Sequence, residues 1–364
     1  MRIGIDIRKY NDYGIGTYIQ NIVNNFQIQR EIDCVYFAQD NLISSISNSL
    51  NGEFISDNSP KYSLQELYSV SKKANLSRLD LFHAPHYTLP VNLKMPSVVT
   101  IHDIIHLRLK EYFSFAQRSY AYLMIQHACS ASSAIIVDSE FGKKELLDVF
   151  KLEEEKINVV PLGVNQSYFN KVNEEEKEIF RKKYAITKQY ILYTGSLKPH
   201  KNIPILLKAF KNIMKKHDIQ LVFTGEKLRD YPQLAHYVFE NNLVESVIDL
   251  GRIDQTELTI AYQCASVVVL PSLYEGFGFS MIEAMASGVP AIGARTTSIT
   301  EVIGNAGLLF DPMDENDLEK QLEIVLTNQK YRLELIEKGT ARVEQYSWNR
   351  CIEKTLQIYH KVSK

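Results

Sequence analysis

Leu270 to Pro290 reads LPSLYEGFGFSMIEAMASGVP: a short apolar run ends, a turn holding Gly276 and Gly278 follows, and a helical period begins near Phe279. The glycines let backbone N–H groups approach a ligand, and the helix start directs its partial positive charge to the same place. A strand, a turn and a helix in that order suit an anion such as a diphosphate and belong to an α/β fold. Glu275 and Glu283 bracket the turn. A structural reading stands beside this one: Ser280, Met281, Ile282 and Glu283 match the S-x-x-E capping box, which would use Glu283 to satisfy backbone donors and leave Glu275 unexplained.

Outward from this stretch the same alternation fills the chain. Upstream, strands are expected at 3–7, 34–38, 81–84, 97–101 and 134–137, with helices at 15–26, 64–74, 115–132 and 141–150. A second series starts after 159–164, with strands at 190–194, 220–224, 247–250, 267–270, 290–293 and 307–310. Its helices are expected at 174–184, 203–216, 231–241, 255–263, 281–287, 315–326 and 331–345. Pro161 to Val164 and the polar 165–173 run make the best linker. The reading is therefore two Rossmann-like, doubly wound domains, 1–164 and 165–346, with ligands expected beyond the carboxyl ends of the strands.

The 364 residues exceed what one core usually supports, and 45% hydrophobic content suffices for two. Lys and Arg number 41 against 43 Asp and Glu, which denies either half the basic excess that nucleic-acid binding needs. Cys34, Cys129, Cys264 and Cys351 are scattered among apolar residues and read as buried thiols of a reducing cytoplasm. Arg2, Asp6 and Arg8 interrupt the first strand, which argues against a signal peptide or a membrane span. Peripheral contact with the inner membrane face stays open.

Four further clusters carry candidate chemistry. Gly195-Ser-Leu-Lys198-Pro-His200-Lys201-Asn202 follows a strand, and a lysine there would act as a point charge on phosphate or lie solvated in a turn. Asn11 to Tyr18, NDYGIGTY, places Gly14 and Gly16 where a strand passes to a helix, either as a tight connection or as a backbone anion site. Thr100 to His106, TIHDIIH, sets His102 where a strand emerges, and Asp103 either supports it or caps the next segment. His102 and His106 are four apart, but they follow a strand and lack a third ligand, so no metal is expected. Arg252 and Glu301 each follow a turn; His83, His86 and Tyr87 occupy FHAPHYTLP, an acceptor-side loop candidate.

The two glutamates flanking GFGFSMI, with EAMASGVP trailing, resemble the signature of retaining glycosyltransferase family 4, the glycosyl transferases group 1, and in particular its mannosyltransferase-like members. The resemblance runs to both ends of the chain, several motifs agreeing in order. It implies the GT-B fold: two Rossmann-like domains facing across a cleft, with the helix from about 347 to 364 returning to the N-terminal domain and Trp348 as a packing anchor. It implies that Glu275 contacts sugar hydroxyls, Glu283 the ribose, and the backbone from Gly276 through Phe277 and Gly278 to Phe279 the diphosphate. Lys201 becomes the diphosphate ligand, Gly195 part of the donor loop, Arg252 a neighbour of the nucleotide base, Gly14 and Gly16 amide donors from the other domain, and His102 with Asp103 the sugar-hydroxyl contact. The family's Arg-Lys-Asn string is departed from at His200, which supplies a second charge only when protonated.

The implied reaction moves a sugar from a nucleoside-diphosphate sugar, GDP-mannose first, to an acceptor hydroxyl with retention. The acceptor is a lipid-linked saccharide of surface-polysaccharide synthesis, the location cytoplasmic. The chain contains no D-x-D, so preorganised donors replace a divalent ion and no cofactor is expected. Competing readings are a non-catalytic GT-B partner subunit, a nucleotide-sugar epimerase, and a nicotinamide dehydrogenase, the last lacking its third glycine after Gly16.

Overall fold

The computed structural model describes residues 1–27, 29 and 31–363. The chain divides into two compact units, Met1–Gly163 joined by the tail from Trp348, and Val164–Ser347.

The first unit runs β1 (Arg2–Asp6), α1 (Tyr13–Phe26), β2 (Asp33–Ala38), α2 (Asp40–Ile46), β3 (Glu53–Ser56), α3 (Leu64–Leu76), β4 (Leu81–Ala84), β5 (Ser97–Thr100), α4 (Ile105–Arg108), α5 (Phe115–Ala131), β6 (Ala134–Val137), α6 (Glu140–Val149) and β7 (Ile157–Val159). Its strands form one parallel sheet in the order β3-β2-β1-β4-β5-β6-β7. β4, β5 and β6 are buried at every residue, as strands covered on both faces must be, and their near-continuous apolar runs follow from that. The order reverses between β1 and β4, which opens a crevice beyond their carboxyl ends.

The second unit runs α7 (Glu174–Lys183), β8 (Gln189–Gly195), α8 (Ile203–Ile213), β9 (Ile219–Gly225), α9 (Pro232–Glu240), β10 (Val247–Asp249), α10 (Gln255–Cys264), β11 (Val267–Leu270), α11 (Phe279–Ala286), β12 (Ala291–Ala294), α12 (Thr297–Ile303), β13 (Leu308–Phe310), α13 (Glu315–Thr327) and α14 (Gln329–Val343). The sheet order is β10-β9-β8-β11-β12-β13, again parallel, with its reversal between β8 and β11. The 165–173 run is more than a linker: Gln166–Phe169 is a 3-10 turn, and buried Tyr168 packs edge-on against Tyr262 at 5.3 Å.

The tail helix, α15 (Trp348–Val362), belongs to the first unit. Its face of Trp348, Cys351, Ile352, Thr355, Ile358 and Tyr359 is buried. Tyr359 meets Phe26 edge-on at 5.7 Å and bonds His83 Nδ1 at 2.6 Å, while Trp348 lies 6.4 Å from the Tyr18 ring. The expected helix ran to 364; Lys364 lies outside the described residues. All four cysteines are free and buried.

Five elements depart from the expected pattern, α4 among them at only four residues. β3 is an edge strand of four residues and β7 spans three, too short for a readable period. α2 carries a Ser pair in seven residues. α12 replaces the expected 296–300 turn, so Glu301 lies inside a helix whose last carbonyls, at Glu301 and Val302, accept from the Arg342 guanidinium.

Candidate functional site

In the second unit the loops leaving β8 and β11 meet where the strand order reverses. After β8, Pro199–Lys201 forms a 3-10 turn and Asn202 takes a left-handed backbone, φ 54°, with its side-chain amide donating to the Pro312 carbonyl at 2.9 Å. Two contacts hold this turn to the β11 loop. The Leu273 N–H donates to the His200 carbonyl at 2.8 Å, and Lys201 Nζ donates to Glu275 Oε1 at 2.6 Å. Ser272 Oγ donates to the same oxygen at 2.6 Å. From the other side α12 braces Glu275: its N–H donates to Thr297 Oγ1 at 3.1 Å and its carbonyl accepts from Ser298 Oγ at 2.9 Å. The Lys201 and Glu275 side chains are 18% and 15% exposed, enough for a ligand rich in hydroxyls and negative charge to reach both.

Gly278 is the N-cap of α11 at φ 97°, with no side-chain cap. That backbone favours glycine strongly, and the first turn of the buried helix starts without a side-chain cap from Gly278. The capping-box reading is overturned here, because Ser280 lies inside the helix and Glu283 points elsewhere. Glu283 accepts from the Tyr262 hydroxyl at 2.6 Å, which also contacts Thr194 Oγ1 at 2.8 Å. Burial pushes the Glu283 carboxyl up, and the Tyr262 and Tyr168 hydroxyls draw it part of the way back. The Phe277 ring is a core anchor against Phe279 and Tyr346, at 5.7 and 5.6 Å, so its backbone alone faces the turn. Gly195 ends β8 in register with Gly225, its carbonyl accepting from Glu226 N–H at 3.2 Å. Arg252 is exposed just beyond β10.

In the first unit His102 stands beyond β5 and is held at both nitrogens. Nδ1 lies 2.7 Å from Asp138 Oδ2 and Nε2 3.2 Å from the Pro85 carbonyl. Burial alone would lower its pKa, but the Asp138 carboxylate, by attraction and by hydrogen bonding, outweighs this and raises it. A carbonyl only accepts, so Nε2 carries a proton. Asp103 Oδ1 accepts from the Ile105 N–H at 3.1 Å and its charge helps to raise the His102 pKa, while the hydrogen-bonded partner of His102 is Asp138. Position at the carboxyl end of β6 was the one signal for Asp138. Tyr262, Ser272 and Thr297 likewise carried no local signal. The pair His102 and His106 does not share a helix, since α4 begins at Ile105, and the His106 ring stacks on Phe113 at 4.3 Å. Among the described residues no group of three or more His, Cys, Asp or Glu is placed to hold a metal ion.

The glycines of the first turn separate in role. Gly14 is exposed in the opening turn of α1, where helix amides lack intrahelical acceptors. Gly16 instead donates its N–H to the Asp12 carbonyl, and a Cβ there would come within 2.5 Å of the Tyr10 carbonyl oxygen; it serves close packing and is removed from the amide donors. Beside them a buried ionic network closes the end of β1. Arg8 donates to Asp6 at 2.9 and 2.6 Å and reaches Glu66 at 3.3 Å and Asp57 at 3.7 Å. Lys73 pairs with Asp57 at 2.8 Å and Lys61 with Asp12 at 2.6 Å. His83, His86 and Tyr87 belong to a stretch, 81–90, that is buried throughout. No helix of the described residues is long and apolar enough to cross a membrane.

Residues 175–342 match the family model of the Glycosyl transferases group 1, and residues 14–168 that of Glycosyltransferase Family 4. The chain is 28% identical over 281 residues to the O-antigen chain mannosyltransferase B of Escherichia coli, covering 77% of this chain and 74% of that one. Among solved structures it is similar to Anabaena HepE in complex with UDP-glucose, with TM-score 0.82, 17% identity and coverage of 99% and 100%. It is also similar to a glycosyltransferase from Rickettsia africae, with TM-score 0.81, 18% identity and coverage of 100% and 98%. At those identities the likeness is one of fold, and the fold is GT-B. With the two family models laid end to end over both units, this chain belongs to the family 4 glycosyltransferases.

Proposed function

We propose that the protein transfers a hexose, mannose first, from a nucleoside-diphosphate sugar to a hydroxyl of a saccharide acceptor, with retention and without a metal ion. The observation that carries this reading is the Lys201–Glu275 pair beside the uncapped start of α11. The diphosphate takes over the Lys201 ammonium and the amides that follow Gly278, and both stabilise the charge that grows on the leaving group. Released from Lys201, Glu275 accepts from sugar hydroxyls, and Glu283, already accepting from Tyr262, takes the ribose hydroxyls. His102 is read as the sugar-hydroxyl contact of the first unit, its Nε2 proton passing from the Pro85 carbonyl to the hydroxyl when the sugar binds. With no carboxylate assigned as nucleophile, same-face attack is the mechanism proposed, the departing phosphate taking the acceptor proton. GDP-mannose leads because the relatives include a mannosyltransferase, and UDP-sugars follow because HepE was solved with one. A lipid-linked saccharide acceptor and peripheral contact with the cytoplasmic membrane face complete the proposal.

The test is thermal denaturation of the full chain with GDP-, UDP-, dTDP- and ADP-sugars, with and without EDTA, beside a Lys201→Ala variant. A donor at a hundred times its dissociation constant adds about 2.7 kcal/mol. An EDTA-insensitive shift with one nucleotide family, abolished in the variant, supports the reading; a shift that vanishes with EDTA sinks its metal independence. Conversion of the donor without any acceptor would turn the assignment to an epimerase.

A further inference from the structure

Among the described residues of the first unit Tyr62 is the one aromatic that combines a left-handed backbone, φ 62°, with 46% exposure of the residue. A tyrosine pays for that conformation only where the surroundings hold it there. What holds it is visible. The Lys9 ammonium sits 3.7 Å from the centre of its ring, and the rings of His86 and Tyr120 meet it edge-on at 5.9 and 6.4 Å.

Each of those three neighbours carries a buried polar atom with no hydrogen-bond partner among the described residues: Lys9 Nζ, His86 Nδ1 and the Tyr120 hydroxyl. Lys9 and His86 are only 6% and 8% exposed, so such atoms are costly unless something outside the chain satisfies them. Burial pulls the Lys9 amine down to about 8, which registers the same deficit. Lys9 and His86 line a cavity of about 10 Å³, room for a single oxygen and far too small for a ring.

We infer that Tyr62, Lys9, His86 and Tyr120 form a subsite for a neutral pyranose of the acceptor, the sugar lying on the exposed Tyr62 ring with one hydroxyl entering the niche between Lys9 and His86. An aromatic face suits the C–H side of a sugar, while the polar atoms around it suit its hydroxyls. Charge separates this from a phosphate-bearing acceptor. Among the described residues Arg8, Lys61 and Lys73 already hold carboxylate partners, and the four carboxylates Asp6, Asp12, Asp57 and Glu66 equal in number the four cations once Lys9 is included. A dianion would find no net positive charge to meet it, whereas a hydroxyl needs only donors and acceptors. The inference rests on the transferase reading for the word acceptor, but the binding it describes does not.

The experiment is saturation-transfer NMR on the full chain with millimolar methyl α-D-mannopyranoside, glucopyranoside and galactopyranoside, and with mannose 6-phosphate as the charged comparator. At least one methyl glycoside is expected to receive saturation. That signal should fall about tenfold in Tyr62→Gly, which relieves the left-handed backbone while removing the ring, with the melting temperature read on the same sample to show that the variant is folded, and should survive in Tyr62→Phe. Lys9→Met is expected to weaken it. No saturation of any methyl glycoside, an undiminished signal in Tyr62→Gly, or markedly tighter binding of the sugar phosphate would each overturn the subsite. An unchanged signal in both Lys9→Met and His86→Phe would overturn the niche and make it a buried-water site. Nucleotide-sugar shifts on the same samples separate the two claims. A protein that binds glycoside but no donor sinks the transferase reading alone, and one that binds donor but no glycoside sinks the subsite alone.

Discussion

The two units solve one topological problem with opposite electrostatics. Each has a parallel sheet whose order reverses once, between β1 and β4 in the first and between β8 and β11 in the second, and each gathers polar side chains at that reversal. In the first unit the charges are buried and mutually matched: Arg8 is locked among Asp6, Glu66 and Asp57, and His102 against Asp138. In the second, the Lys201–Glu275 ion pair at the reversal is reachable from solvent and lies beside a helix start with no side-chain cap. A charge-balanced network offers an anion little, while an exchangeable pair beside a helix start with no side-chain cap is already half of an anion site. On the two proposals above, the same fold carries a surface for neutral hydroxyls and one for phosphate.

The strongest way to break the comparison is to remove what completes only one unit. A chain ending at Tyr346 loses the buried face of α15, each large side chain of which is worth roughly 1.5–3 kcal/mol against a domain stability of about 5–15 kcal/mol. Calorimetry should show the unfolding transition of the first unit abolished and that of the second preserved; a truncated chain with both transitions and full activity would contradict the assignment of the tail. Next in size, Lys201→Ala should lower transfer by roughly a hundred- to a thousandfold in an acceptor-saturated assay while circular dichroism stays unchanged. Retained turnover would mean the ammonium does not meet the leaving group.

A third change probes the saturated side. In the wild type His102 holds its proton more tightly in the folded state than in the unfolded chain. Its contribution to stability is therefore full below the ordinary histidine value and is lost as pH rises through the raised one. In Asp138→Asn the two largest effects opposing burial are lost and only the Asp103 charge and the Pro85 carbonyl remain against it, so the imidazole should titrate lower than in the wild type and the slope should weaken, as read by NMR titration and by melting temperature against pH. An unmoved His102 resonance would show that Asp138 is not its partner. The smallest effect is expected from His200→Arg, which restores a permanent charge beside Lys201 and should tighten donor binding several-fold, about 1 kcal/mol. Weaker binding would mean the β8 turn has no room for the guanidinium.

Much of this was legible in the sequence, and the reasons differ by element. Buried central strands such as VVVL at 267–270 and AIIV at 134–137 announce themselves by unbroken apolar runs, whereas β3 and β7 are too short and too near an edge to do so. The β11 turn was readable because its glycines, its helix start and both glutamates lie within one stretch. Partners far apart in the chain leave no spacing to read: Asp138 is 36 residues from His102, and Lys201 is 74 from Glu275. The capping-box motif at Ser280 misled for a local reason, since the left-handed Gly278 moves the helix start two residues upstream.

The return of the tail bears on how the chain is made. The second unit is an uninterrupted segment, finished at Ser347, while the residues that cover Phe26 and His83 lie in α15, which follows it. On the ribosome, then, the first unit to emerge is the last to be closed. Its α1 face waits through the synthesis of an entire second domain, a long exposure of apolar surface during which a chaperone has something to hold.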